Sequence, residues 1–245
     1  MKCYYHNDND GRCAGAIVYS VYSECEMIES DYKNPIDIEA ISFDEDIYIV
    51  DFSFTPEVME EVLKKTKNII WIDHHETAME YKYSEELKGA RDNSHSGCVL
   101  TWKWFNSGLP EGVKLIGDYD TWAFKYGEQS RLFYLGLQLY DTNPRNLSLW
   151  AILFEDNKKL VEQIIEEGRT CRRYRDNFCK DCRTSYGFET IFEGYKCYAL
   201  NLYKLGSPSF GEKFHEYDIC LSFVFDGLKW TVGLYSDKVD VGKLA

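Results

Sequence analysis

Three short apolar segments near the start of this 245-residue chain each end in a cluster of acidic or histidine residues. Cys3-Tyr4-Tyr5 runs into His6-Asn7-Asp8-Asn9-Asp10-Gly11, Ile47 to Val50 into Asp51, and Ile69 to Ile72 into Asp73-His74-His75. Brief β-branched and aromatic runs are how buried parallel strands read, because helices cover both faces of such a sheet. Ligands of open α/β sheets collect beyond the carboxyl ends of the strands. The pattern therefore predicts an α/β fold with a mostly parallel sheet and all three clusters on one edge. Carboxylates and imidazoles gathered there repel one another unless divalent cations neutralise them, and a dinuclear metal site follows. Oxygen and nitrogen donors without thiolate suit Mn²⁺ or Mg²⁺, with Zn²⁺, Co²⁺ and Fe²⁺ as alternatives.

Helix signals punctuate these strands. Ala14, Ile17, Val18 and Val21 follow Gly11-Arg12 at helical spacing. The amides of that helix start attract phosphate, which makes Arg12 a candidate substrate contact. Thr55-Pro56-Glu57 supplies a cap, a first-turn proline and an acid matched to the helix dipole. Gly97 to Phe105 predicts another helix, whose Val99, Leu100, Trp102, Trp104 and Phe105 read as core rather than as a base-stacking platform. Asn143-Pro144-Arg145-Asn146 breaks the pattern and closes a first domain at residue 143. Leu149 to Tyr186 reads as one long helical segment, so residues 144–187 form a connector. Residues 188–245 read as a smaller strand-rich α/β domain, with strands over Tyr195–Asn201, Ile219–Phe225 and Trp230–Tyr235 and a hairpin turn at Asp226-Gly227.

Asp73-His74-His75 resembles the motif that gives the DHH phosphoesterases their name, and the other clusters stand in the order of that family's motifs. His6 to Gly11 is similar to the family's H-x-D-x-D-G element, and Asp51, within Ile-Val-Asp-Phe-Ser, to its lone aspartate closing a strand. Asp118-Tyr119-Asp120-Thr121-Trp122 resembles the Tyr-Asp-Thr-Trp element of the nanoRNase subgroup, which degrades very short RNAs, and Ser96-Gly97 opening a helix matches that subgroup too. The resemblance implies that His6, Asp8 and Asp51 hold one ion while Asp10, Asp51, His74 and Asp120 hold the other, with Asp51 as bridge. Asp118 competes with Asp120, which is preferred because it directly precedes Thr-Trp. The catalytic candidates implied are Asp73, orienting its neighbours, and His75, contacting substrate phosphate or assisting the leaving group.

By the same resemblance the long helix is an interlobe connector and the last residues resemble the start of a DHH-associated substrate-binding domain. In that domain a segment like Ser236 to Ala245 leads into a glycine-rich G-G-G-H motif that grips the far phosphate. The chain stops before this motif, as a truncated or a naturally shortened protein, and the expectation is retained metal with weakened substrate affinity. The activity implied is two-cation hydrolysis, with Mn²⁺ first and Mg²⁺ second, of very short oligoribonucleotides, linear dinucleotides or 3′-phosphonucleotides to mononucleotides. Two rivals stand beside it: a pyrophosphatase or polyphosphatase, and a nucleotide-binding module without turnover.

A formal net charge of −13 argues against tracking long or duplex nucleic acid, which calls for a basic surface, and favours a small substrate. Arg169, Arg172, Arg173, Arg175, Lys180 and Arg183 lie along one candidate helix, but Glu166, Glu167, Asp176 and Asp181 interleave with them. A solvated helix face is the reading taken, over a nucleotide-binding ramp. Gly206-Ser207-Pro208-Ser209-Phe210-Gly211 is read as a loop facing the cleft, with Ser207 and Ser209 as candidate substrate contacts and an ordinary surface turn as the alternative. The nine cysteines are expected to be free thiols, and Cys179-x-x-Cys182 with Cys171 is read as core-facing or partly exposed thiols rather than as a zinc or redox site. No run of 18 apolar residues and no signal-peptide core appear, so a cytoplasmic location without a membrane partner is expected; oligomeric state is left unassigned.

Overall fold

Strands buried on both faces organise the first of two units, Met1–Arg169, in a computed structural model that describes residues 1–244. Its five strands are β1 (Lys2–His6), β2 (Glu26–Ser30), β3 (Ile47–Val50), β4 (Ile69–Asp73) and β5 (Lys88–Arg91), all parallel, in the order β2-β1-β3-β4-β5. The three apolar runs are thus the three inner strands. Side chains alternate between faces. Tyr4, Ile47, Ile49, Ile69 and Trp71 pack into one core with Met59 and Val62. Cys3, Tyr5, Tyr48, Val50 and Ile72 belong to the other, with Ile17, Leu100 and Trp150.

The helices of this unit are α1 (Asn9–Val21), α2 (Pro56–Leu63), α3 (Glu76–Met79), α4 (Gly97–Phe105), α5 (Glu111–Asp120), α6 (Glu128–Leu137) and α7 (Leu147–Phe154), followed by α8 (Lys158–Tyr186), which ends in the second unit. Thr55 caps α2 ahead of Pro56, and the Ser96 hydroxyl caps α4. The helix expected from Leu149 to Tyr186 is two helices. Asp156 turns the chain through the left-handed region at φ 59°, which aspartate tolerates better than most residues, and its carboxylate accepts the Glu111 N–H that opens α5 at 2.6 Å. Asn157 then starts α8 by accepting the Leu160 N–H at 3.1 Å. A polar Glu-Asp-Asn triplet reads equally well as the solvent face of a continuing helix, which hid the break.

The second unit runs from Thr170 and contains β6 (Gly187–Phe192), β7 (Tyr195–Leu200), α9 (Lys213–Glu216), β8 (Ile219–Phe225) and β9 (Trp230–Tyr235). Its sheet has the order β6-β7-β8-β9, with β7 and β8 parallel and the outer pairs antiparallel. β6 escaped the sequence reading because it is largely exposed and carries no buried face. The unit closes around Cys182, Tyr198, Leu200, Phe210, Tyr217 and Cys220. All nine cysteines are free, and Cys179 and Cys182 are buried. Arg169 pairs with Glu166 at 3.1 Å and Arg175 with Asp176 at 2.9 Å, so part of the basic stretch is neutralised locally. No helix among the described residues is long and apolar enough to cross a membrane.

Candidate metal centre

Because β1, β3 and β4 are adjacent and in register, with Tyr5 beside Val50 and Val50 beside Ile72, the residues that follow them emerge together at one sheet edge. Asp51 leaves β3 in the left-handed region (φ 52°), its N–H bonded to the Ile72 carbonyl at 2.8 Å. Its carboxylate is buried, and neither oxygen has a hydrogen-bond partner. The start of α4 lies directly against it: a Cβ on Gly97 would sit 2.4 Å from the Asp51 Cβ and 2.5 Å from Oδ1. Only glycine permits that approach.

The other donors converge on Asp51. His74 Nε2 is 3.2 Å from Asp51 Oδ1, 3.3 Å from Asp120 Oδ2 and 3.9 Å from Asp10 Oδ2. His6 Nδ1, a buried nitrogen, lies 3.9 Å from Asp51 Oδ2 and 2.7 Å from Asp8 Oδ2, between the two carboxylates, with no hydrogen bond of its own. Asp8 caps α1 through Oδ1, accepting the Gly11 N–H at 2.9 Å, so Oδ2 stays with His6. Asp10 is buried in the first turn of α1 and accepts the Cys98 N–H of α4 at 3.2 and 3.3 Å. Three groups, His6 with Asp8 and Asp51, Asp10 with His74 and Asp120, and Asp51 with His74 and His75, each bring their ligand atoms within 4.8 Å of one another.

Asp73 is placed differently. It is fully buried, and its oxygens accept the His74 N–H at 2.7 Å, the His75 N–H at 3.3 Å, His75 Nδ1 at 2.8 Å and the Ser53 hydroxyl. Trp71 Nε1 in turn donates to Ser53 at 2.9 Å. These bonds, three to Oδ1 and the Ser53 hydroxyl to Oδ2, tie Asp73 to the His75 ring and to the backbone that carries it.

Burial, reinforced by Asp10, Asp8 and Asp120, pushes the Asp51 carboxyl well above the ordinary carboxylate range. Burial with Asp10 and Asp8 pushes Asp120 up to about 8. Burial lowers His74 against the pull of nearby carboxylates, favouring the neutral, ligating imidazole. The hydrogen bond that His75 donates to Asp73 outweighs burial and raises His75. For Asp8, burial alone would raise the carboxyl, but His6 and the Gly11 N–H together lower it. A cluster of acceptors with orphaned buried oxygens and an orphaned imidazole nitrogen is the donor set that hard or borderline divalent cations require. The residues fit such ions.

Against solved structures, the chain matches PggH, titled a pGpG-specific phosphodiesterase, from Vibrio cholerae, with a TM-score of 0.55 and 10% identity over 100% of this chain and 86% of that one. It also matches the DHH domain of a protein titled a member of a family of ribosomal proteins, with a TM-score of 0.51 and 12% identity over 96% and 73% of the two chains. The chain has the DHH fold. In sequence, 152 residues are 26% identical to an uncharacterized protein of Acanthamoeba polyphaga mimivirus, covering 59% of this chain but only 34% of that relative. No family model matches the chain.

On this DHH fold two further candidates of the first unit, Asp118 and Arg12, have partners of their own. Asp118 turns away from the ligand cluster and accepts the N–H groups of Lys125 at 2.7 Å and Tyr126 at 3.2 Å and the Ser130 hydroxyl. Arg12 is committed to Glu29 at 2.9 Å and Thr142 at 3.2 Å. Ser207 and Ser209 belong to a short 3₁₀ turn, Ser207–Phe210. Ser209 is buried, its hydroxyl donates to the Gly206 carbonyl at 2.7 Å, and its own carbonyl accepts from Arg183 at 2.7 Å, so it offers no free group to a ligand. The small residues of this stretch form a turn that buries Phe210. Sequence reasoning missed Ser53, the Cys98 amide, and the aromatic residues Tyr32 and Phe52, whose rings stand 4.7 Å apart beside His6 and His75. Ser53 follows two residues after Asp51 and carried no signal; Tyr32 lies in a stretch with no motif at all.

Proposed function

We propose that this chain is a metal-dependent phosphodiesterase that hydrolyses very short oligoribonucleotides or linear dinucleotides to mononucleotides. His6, Asp8 and Asp51 would hold one divalent cation, and Asp10, Asp51, His74 and Asp120 the other, with Mn²⁺ the proposed ion. The observation that carries this reading is Asp51, a buried carboxylate whose two oxygens lack any donor and which stands in two of the three ligand groups. When bound, such ions neutralise charge on a phosphoryl group and lower the pKa of an attacking water. Asp73, by accepting from Nδ1, holds the His75 ring and raises its proton affinity, which suits His75 to donate a hydrogen bond from Nε2 to a phosphoryl or leaving oxygen. The His75 ring first, then the Ser53 hydroxyl and the His74 N–H, hold the Asp73 carboxyl below its ordinary range despite its burial.

Two further points support a short nucleotide substrate. A net charge of −13 disfavours a long polyanionic strand, and one neighbour of the same fold is titled a pGpG-specific phosphodiesterase. The test is incubation of the purified chain with Mn²⁺ and a labelled five-nucleotide RNA, with pyrophosphate and an Asp51→Ala variant alongside. Mononucleotides from the parent and none from the variant are expected. Orthophosphate from pyrophosphate with intact RNA would make it a pyrophosphatase, and bound nucleotide without product would make it a binding module.

A further inference from the structure

A cavity of about 150 Å³ opens beside the carboxylates of Asp8, Asp10 and Asp120. Its opposite wall is aromatic. Tyr119 and Tyr134 stack with ring centroids 3.8 Å apart and planes 8° from parallel, and Trp122 adjoins Tyr119 at 6.3 Å. Trp122 is 66% exposed. It also has φ 53°, and Phe124 two residues on has φ 46°. A bulky residue pays in steric strain for that backbone region and persists there only where its surroundings hold it. The holder here is Asp118, buried at 7% exposure, which gathers the N–H groups of Lys125 and Tyr126 and so closes the loop that carries Trp122. Arg131 lies over the Phe124 ring, its Cζ 3.6 Å from the centroid, and braces the same loop. A large indole is thereby kept out of the core, in a strained conformation, at the mouth of a cavity that shares three residues with the ligand cluster.

We propose that this cavity is a nucleobase subsite, in which Trp122 and the Tyr119–Tyr134 pair hold the base of a nucleotide whose phosphate lies among the clustered carboxylates and histidines. The inference rests on the phosphodiesterase reading and deepens it. The metal ligands alone recognise any phosphate compound, whereas a cavity next to them lined by Tyr119, Trp122 and Tyr134 favours a nucleotide over pyrophosphate, which has nothing to fill it. Every base presents a π-face, so the subsite tolerates all four bases.

The test is calorimetric titration of the Mn²⁺-loaded full chain with AMP and with ribose 5-phosphate, repeated on Trp122→Ala and Trp122→Phe. Stacking of a base on an aromatic side chain predicts that AMP binds the parent roughly ten-fold more tightly than ribose 5-phosphate. Trp122→Ala should bring that ratio close to one, and Trp122→Phe should keep most of it. Equal affinity for the two ligands in the parent, or an unchanged ratio in Trp122→Ala, overturns the subsite. Cleavage of the five-nucleotide RNA is scored separately. A parent that prefers AMP but cleaves nothing leaves the subsite standing and removes the hydrolase reading, whereas one that cleaves RNA without preferring AMP removes the subsite alone.

Discussion

Gly97 lacks a side chain at a point where Asp51 occupies the space one would need. Both groups are buried, and neither neighbour is the flexible end of a long side chain, so the conflict cannot be relieved locally. Gly97→Ala is expected to cost about 1–3 kcal/mol of stability, as overpacked sites do, and to weaken divalent-cation binding because Asp51 must move. Thermal unfolding and Mn²⁺ titration of the variant check both, and an unchanged affinity would mean that Asp51 is no ligand. The raised carboxyls give a second expectation. In the metal-free protein Asp120 holds its proton up to about 8, while the same group in the unfolded chain releases it in the ordinary carboxylate range. The folded state therefore binds more protons between those values, and stability falls as pH rises through that window. Asp51, raised in the same direction, adds to the trend. Melting curves in chelator from about pH 5 to about pH 8 should show a falling Tm, with added Mn²⁺ restoring most at the alkaline end; a Tm that climbs across this range would contradict the assignment.

Elements differ in how plainly the chain announces them. β1, β3 and β4 were legible because both their faces are buried, and their aromatic and branched residues admit no other reading. β2 and β5, at the sheet edges, contain Glu26, Glu29, Lys88 and Arg91 and carry no apolar run that marks them as strands. The helix starts at Thr55 and Ser96 were legible because a capping side chain is a local signal. The Asp118 clamp was not, since its partners lie seven to twelve residues further on and two of the three are backbone groups. The break before α8 was hidden although its cap is local, with Asn157 accepting the Leu160 N–H, because Glu155-Asp156-Asn157 also reads as the solvent face of a continuing helix. Asn157→Ala should lower stability by about 1 kcal/mol, the usual worth of an N-cap, read as a shift in the denaturation midpoint. No shift would show that α8 starts without that cap.

Across the whole molecule, the clustered ligands all come from the first unit and span His6 to Asp120, while the second unit contributes a separate sheet and core. What made the cluster readable was its placement at the ends of three recognisable strands, and what remained unreadable was everything that only the fold assembles: Ser53 beneath Asp73, Cys98 against Asp10, and the aromatic wall of Tyr119 and Tyr134. Many of the chain's acidic groups lie on the surface, but those of the cluster are buried or partly buried together, an arrangement that is costly without counter-charge. We propose that two cations supply it by sharing Asp51. The most direct measurement is electron paramagnetic resonance of the chain titrated with Mn²⁺, together with its metal stoichiometry. Two ions per chain with an exchange-coupled spectrum, reduced to a single uncoupled ion in Asp51→Asn, is the predicted result. One uncoupled ion in the parent, or two ions that stay coupled in the variant, would contradict it.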